Sequence, residues 1–422
     1  MRKILLATTA LVGVAFGTAG VAHAAASPIT VNVGGYVDAV AGFEHESVPS
    51  TGAGSFSGTG LKVVSHDFET EFKLNIDAIG KASNGVQYGA NIGLWNGPEV
   101  GNLWTGGGST VELNSAYVWL SGAFGKVLFG DEHGASDLFV YAPTIGEGQV
   151  DGRYQDFVSP FLVARFQPSG IDNTEHSTKI TYYTPKVGND SNKVQLGFSY
   201  APQMYNYGQT IVKSSSNTAL ANGVSSPYQD LLKGAIQYTG NFRPVSLTAS
   251  AQIINGSSQH TTGNPGLFSS APPGTDGGKF QPFTAWGFGT QVGFMGFTVG
   301  GSYVDEGSYG TVHGQNHDQH VLTLGGKYEI DKVSVGATWL NGKGYDNLLS
   351  NGSGSGSSIA LAQPLQNVNY VDQFNAYSIG ATYTWFPGLT SAVDGTVFQQ
   401  SVRDETGHND GYVLLLSQKL TF

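Results

Sequence analysis

The 422-residue chain has no cysteine, which removes disulfide frameworks, thiolate metal sites and cysteine nucleophiles together. Charge is scarce too: Asp, Glu, Lys and Arg make up 12% of the residues, about half the ~25% of an average globular domain. Little of that charge is positive, with 20 Lys and Arg against 31 Asp and Glu. The net charge of −11 leaves no basic face for nucleic acid. After residue 24 there is no run of about 20 apolar residues of the kind a membrane helix requires. Low charge does not imply disorder, because aromatic residues reach 12% and disordered chains are poor in them. A soluble β-protein and a transmembrane β-barrel both stay open, since barrel strands alternate between lipid and lumen and so escape a hydropathy average.

The first 24 residues read as a secretory signal peptide. Arg2 and Lys3 give a positive start, Ile4 to Val21 is small and apolar, and Ala22-His23-Ala24 is a small-x-small cleavage site. Its removal leaves residues 25–422 as one exported domain, and the signal suits a bacterial envelope protein.

Periodicity then selects the strand. Between Asp67 and Lys81 one parity reads Asp67, Glu69, Glu71, Lys73, Asn75, Asp77, Ile79, Lys81, and the other Phe68, Thr70, Phe72, Leu74, Ile76, Ala78, Gly80. A helix would mix these sets, whereas a strand sends them to opposite faces. Similar alternation recurs at 86–94, 245–253 and 377–385, with Gly, Ser and Thr on the polar face. A soluble sandwich would place charge there; small uncharged residues suit a crowded or water-filled interior.

Connections alternate between tight turns (Ser83-Asn84-Gly85, Met295-Gly296, Asp331-Lys332, Pro387-Gly388) and long polar stretches, among them 97–111, 134–175, 203–230, 255–283 and 342–373. Short turns on one side and long loops on the other are the pattern of outer-membrane barrels. Tyr183, Tyr238, Phe294, Phe297, Tyr328, Trp385 and Phe386 lie near the short turns, as an interfacial aromatic girdle would. The spacing predicts sixteen strands, from 29–45 to 412–422, including a sixth at 176–186 and a fifteenth at 390–402 whose alternation is poor. The fold class expected is all-β, a 16-stranded antiparallel transmembrane β-barrel.

Several segments resemble the Gram-negative general porin family in its alphaproteobacterial-type branch: Val33-Gly34-Gly35-Tyr36, Ala116-Tyr117-Val118-Trp119-Leu120-Ser121-Gly122-Ala123-Phe124-Gly125-Lys126-Val127 continuing to Gly130-Asp131-Glu132, Lys179 to Pro185, and the ending Lys419-Leu420-Thr421-Phe422. The resemblance implies a homotrimer of sixteen-stranded barrels in outer-membrane lipid, each a channel for passive diffusion of ions and small hydrophilic solutes, with the third long loop, 134–175, folded inward. It implies no cofactor and no enzymatic activity, and makes Leu420 and Phe422 a terminal assembly signal, although Ser417 stands where that signal usually has glycine. An arginine-rich face opposite the loop is not evident; the lumen-parity lysines Lys73, Lys179 and Lys233 are the candidates for it.

The loop holds Asp137, Glu147, Asp151, Asp156, Asp172 and Glu175 against Arg153 and Arg165. Acidic rings at a constriction favour cations, so a weak cation preference is expected. Glu69, Glu71, Lys73 and Asp77 read as a lumen charge ladder in preference to a glycosidase carboxylate pair. His313, His317 and His320 sit in a Gly/Asn/Gln loop and read as solvated histidines, with no metal expected. Asp404, Glu405 and Asp410 lack a calcium-loop pattern. Gly287-x-Gly289 lies inside a strand with no helix after it, which fails the dinucleotide context. The alternative function is an outer-membrane barrel enzyme or adhesin without an open channel.

Overall fold

The structure, a computed structural model, describes residues 28–47, 65–96, 111–147, 152–158, 163, 166, 168, 177–204, 228–258, 281–309, 311, 319–345, 370–402 and 408–422. In chain order the strands are β1 (Thr30–Glu46), β2 (His66–Lys81), β3 (Gln87–Trp95), β4 (Glu112–Gly122), β5 (Gly125–Asp131), β6 (Thr178–Tyr183), β7 (Val187–Gly188), β8 (Asn192–Gln203) and β9 (Tyr228–Phe242). There follow β10 (Val245–Ser258), β11 (Phe283–Phe294), β12 (Phe297–Asp305), β13 (His320–Ile330), β14 (Val333–Tyr345), β15 (Tyr370–Phe386), β16 (Leu389–Val402) and β17 (His408–Thr421). The signal peptide and the tip of loop 97–111 lie outside the described residues.

Neighbouring strands pair antiparallel, and β17 returns to pair with β1, from Tyr36↔Thr421 to Glu46↔Gly411. The sheet is therefore a closed barrel without edges, which matters for a chain with no disulfide to hold it. Of the seventeen segments, β6 and β7 are two pieces of one stave, because both pair with β8. The break between them carries Pro185, which has no N–H to give the ladder. The barrel thus has sixteen staves, as the spacing predicts, and the poorly alternating 390–402 is a full stave.

One rim carries the tight turns. Met295 and Gly296, at φ 46° and 86°, are both left-handed, as a two-residue hairpin turn matching the strand twist demands. Phe294, Phe297, Trp385 and Phe386 are exposed around this rim. Tyr183 departs from the expected girdle: it is buried inside the barrel, its hydroxyl donating to the Gly134 carbonyl.

The wall is inverted relative to a water-soluble protein. Outward residues such as Phe68 (81% exposed) and Ile379 (68%) are bare, whereas Thr181, Thr323, Ser378 and Lys179 on the inner face are sealed from solvent. Fully burying one large apolar side chain gains about 1.5–3 kcal/mol. A sheet leaving dozens of them bare needs a hydrocarbon solvent. Strands, not helices, cross the membrane here, and no described helix is long and apolar enough to do so.

Candidate pore constriction

The segment after β5 turns into the barrel at Gly134, whose φ of 84° suits glycine. Its base is clamped by Glu132: the carboxylate accepts from the Gly134 N–H at 2.7 Å and from the Thr181 hydroxyl, while the Lys179 ammonium donates to the Glu132 carbonyl. A 3-10 turn (Gly134–Leu138) follows, and a short helix, α1 (Tyr154–Phe157), stands at the far side.

From Ala135 to Glu147 the chain follows the inner wall, and successive strands bind its backbone in order. Ala135 N–H donates to Ser199 Oγ on β8 (3.3 Å), and Gln237 on β9 donates to the Leu138 carbonyl (2.8 Å). Val140 N–H donates to Ser250 Oγ on β10 (2.9 Å), and Gln291 on β11 donates to the Tyr141 carbonyl (2.8 Å). Gly146 N–H then reaches Thr382 Oγ1 on β15 (3.1 Å), Glu147 N–H reaches the Asp394 carboxylate on β16 (3.0 Å), and Ser417 on β17 donates to the Glu147 carboxylate. An irregular backbone in a barrel interior has to find partners for its polar groups. The Ser, Thr and Gln residues of the polar parity are those partners.

The glycines of the same face make room. A Cβ on Gly289 would lie 1.7 Å from the Val140 carbonyl oxygen, one on Gly42 2.1 Å from the Phe157 ring, and one on Gly342 2.4 Å from the Phe166 ring. Three apolar clusters fix the hoop, the first joining Ala135 and Leu138 to Leu128, Tyr183 and Ala235 at its base. On one side Phe139 and Tyr141 join Ile254, Phe283 and Val304. On the other Tyr154, Val158 and Phe166 join Leu340, Phe374, Phe398 and Leu415.

Charge fastens the hoop's far end. The Arg153 guanidinium lies 2.9 Å from Glu71, 3.1 Å from Glu69 and 3.5 Å from Asp38, and Lys419 sits 3.1 Å from Asp38 and over the Tyr36 ring. The Tyr36 hydroxyl donates to Glu71. Burial pushes the Glu147 carboxyl up to about 7; Ser417 and Lys419 pull it down, and neighbouring Asp38 adds to the rise.

Of the candidate residues, the fold brings Glu147, Arg153, Glu69 and Glu71 together. Asp137 is exposed in the 3-10 turn, Asp156 is half-buried in α1, and Asp77 accepts from Asn91 (2.8 Å). Lys73 is half-buried on the wall. Lys179 and Lys233 are buried, so neither faces open lumen. Asp151, Arg165, Asp172, Glu175, His313, His317, Asp404 and Glu405 lie outside the described residues; His320 stacks on Tyr303. Among the described residues no group of three His, Asp or Glu is placed to hold a metal. Sequence reading missed the roles of Asp38, Glu132, Asp394 and Ser417. For Asp38 and Asp394 the available signal was a lone carboxylate at lumen parity in a small or apolar strand, which needs a partner.

A closed apolar-walled barrel with an inward hoop defines a class, the outer-membrane channels, and the comparisons narrow it. A family model described as Gram-negative porin matches residues 7–402, and the chain belongs to that family. A search of curated proteins finds no match. Among solved structures, a loop-deletion variant of the outer-membrane protein OmpT of Vibrio cholerae is similar at TM-score 0.54 and 11% identity, over 94% of this chain and all (100%) of that one. The outer-membrane channel DcaP of Acinetobacter baumannii is similar at TM-score 0.53 and 16% identity, over 93% of this chain and 97% of that one. An anion-selective porin from Comamonas acidovorans is similar at TM-score 0.52 and 12% identity, over 94% and 100%. At these identities the likeness is one of fold.

Proposed function

We propose that the chain, exported by its N-terminal signal peptide, forms a homotrimeric outer-membrane porin without enzymatic activity, whose water-filled lumen passes ions and small hydrophilic solutes with a weak cation preference. The observation that carries the reading is the hoop: a long segment bound strand by strand around the inside of a closed barrel narrows the lumen without leaving it as a soluble lid. The cation preference rests on the charge around the hoop's far end, where Asp38, Glu69, Glu71, Glu147 and Asp394 face Arg153 and Lys419. Five carboxyls against two cations favour positive ions, and screening to ~8–10 Å confines the effect to the narrow part. Leu420 and Phe422 are proposed as the assembly signal; both side chains are exposed at the barrel's rim.

Planar-bilayer recording tests this. Discrete conductance steps, with a zero-current potential in a KCl gradient on the cation-selective side, are expected. A folded, membrane-inserted protein giving no steps refutes the channel, and an anion-selective potential refutes the charge assignment alone.

A further inference from the structure

Inward glycines such as Gly42, Gly289 and Gly342 are filled by the hoop, but two outward glycines face little or nothing. An added Cβ on Gly395 would meet no atom within 4 Å, and one on Gly326 only the Thr298 carbonyl oxygen and Val299 Cγ2, both at 3.6 Å. They belong to one hydrogen-bonded row across six strands: Val299↔Gly326, Gly326↔Ala337, Ala337↔Ile379, Ile379↔Gly395 and Gly395↔Leu414. The row lies in an apolar cavity of about 690 Å³ on the barrel's outer wall, within the ~300–1,000 Å³ of small-molecule sites.

We propose that this groove holds a phospholipid of the periplasmic leaflet, one acyl chain lying along the row and the phosphate at Lys332. The shape of the groove favours an acyl chain. Its relief is uneven: Gly326, Ala337 and Gly395 are small, while Val299, Ile379 and Leu414 of the same row are exposed and stand proud of them. A flat neighbouring barrel wall would rest on those side chains and leave the hollows between them void, whereas a flexible chain threads between them and fills the hollows.

The periplasmic edge suits the headgroup. The Phe297 and Tyr328 rings lie 4.3 Å apart and those of Tyr383 and Trp385 4.7 Å apart, placing interfacial aromatics beside the groove. Lys332, in the turn between β13 and β14, is exposed with its ammonium 3.4 Å from the Trp385 carbonyl oxygen. A lysine ammonium on an aromatic rim is a phosphate donor at headgroup depth. Membrane placement is all the proposal requires, so it stands or falls separately from conductance.

The test uses full-length protein extracted from native outer membranes in mild detergent, with bound phospholipid counted by native mass spectrometry. Wild type is expected to keep one phospholipid per chain. The groove-filling pair Gly395→Leu and Ala337→Leu should lower that retention about tenfold, since it removes the apolar cavity. Lys332→Gln should lower it about threefold, the scale of an exposed charge contact. Heat-modifiable gel migration reports that each barrel is folded, and the exposed turn variant remains informative if the pair does not fold. Equal retention in wild type and Lys332→Gln, or in wild type and a folded filled pair, overturns the proposal. A Gly395→Cys chain is otherwise free of cysteine; disulfide-linked dimers on oxidation in the membrane make a second copy the occupant and also overturn it.

Discussion

The Arg153 guanidinium sits 2.9 Å from the Glu71 carboxylate, and this contact joins the far side of an inward loop to the second stave of the barrel. Glu69 on the same strand and Asp38 on β1 complete an acidic socket, so a single cation from the loop is shared among three wall carboxylates. The sequence sets Arg153 among the loop's own acids, whereas the fold sets it against acids of the wall. The arginine's first effect is mechanical, because its charge is consumed at the wall.

Removing that cation should loosen the hoop without opening the barrel. Leaving buried charge uncompensated costs about 3–5 kcal/mol, so Arg153→Ala should lower the temperature of heat-modified gel migration while the strands still form. Conductance should rise and become noisier, because Tyr154 and Phe157 lose their anchor. Arg153→Lys should rescue only partly, since an ammonium cannot reach three carboxylates with a planar fork. Wild-type conductance in Arg153→Ala would show that apolar packing alone seats the loop.

The two classes of glycine should behave oppositely. Gly42→Leu and Gly342→Leu push into the Phe157 and Phe166 rings, and overpacking of this kind costs about 1–3 kcal/mol. Both should displace the hoop's return leg and change single-channel conductance. Gly395→Ala, on the outer wall with open space before it, should leave conductance and melting unchanged. Equal effects at inner and outer positions would mean that the glycines serve the strands and not the loop.

Much of this architecture is legible in the sequence because a barrel is written in period two. Asp67 to Lys81 declares its two faces outright, and Met295-Gly296 and Asp331-Lys332 mark hairpins by local chemistry alone. What periodicity cannot say is what lies against the inner face. Ser250, Thr382 and Gly289 look like generic lumen residues until a loop more than a hundred positions away is placed on them. Ser417, a departure from the usual terminal pattern, is explained by the same contact, since its hydroxyl holds Glu147. Lys179 has lumen parity, yet it is spent on the Glu132 carbonyl at the loop's base. Parity gives the face; only tertiary pairing gives the partner.

Phe422 should matter in cells more than in the test tube. Its N–H donates to the Gly35 carbonyl (3.0 Å) and its carbonyl accepts from Gly35 (2.9 Å), contacts made by the backbone, while the ring is exposed on the outer wall. A lone aromatic gives about 1.5–3 kcal/mol when lipid covers it, little beside sixteen paired staves. Phe422→Ala should therefore refold in detergent to a heat-modifiable barrel and yet reach the outer membrane in reduced amount. Failure to refold in vitro would move its role from assembly to stability.

Ion preference should depend on pH through Glu147. Its carboxyl titrates near 7, chiefly because it is buried, with Asp38 raising it further and the Ser417 hydroxyl and Lys419 opposing the shift. Arg153 is paired with Asp38, Glu69 and Glu71, and Asp394 accepts the Glu147 N–H, so carboxylates crowd Glu147 from β1 and β16. The sign follows from linkage. The folded protein holds this proton more tightly than an unfolded carboxyl with a pKa of ~4.3, so the contribution to stability is present in acid and is lost as pH rises through about 7. Over the same window the loop gains a negative charge. The zero-current potential in a KCl gradient should move towards cations between roughly pH 5.5 and 8.5, more at low salt than at high. Histidines also lose positive charge in this range, so the deciding comparison is Glu147→Gln, which keeps the Ser417 contact in neutral form. It should flatten most of the pH response while leaving gel migration unchanged. A response equal to wild type in Glu147→Gln would assign the titration to other groups and leave this buried carboxyl silent.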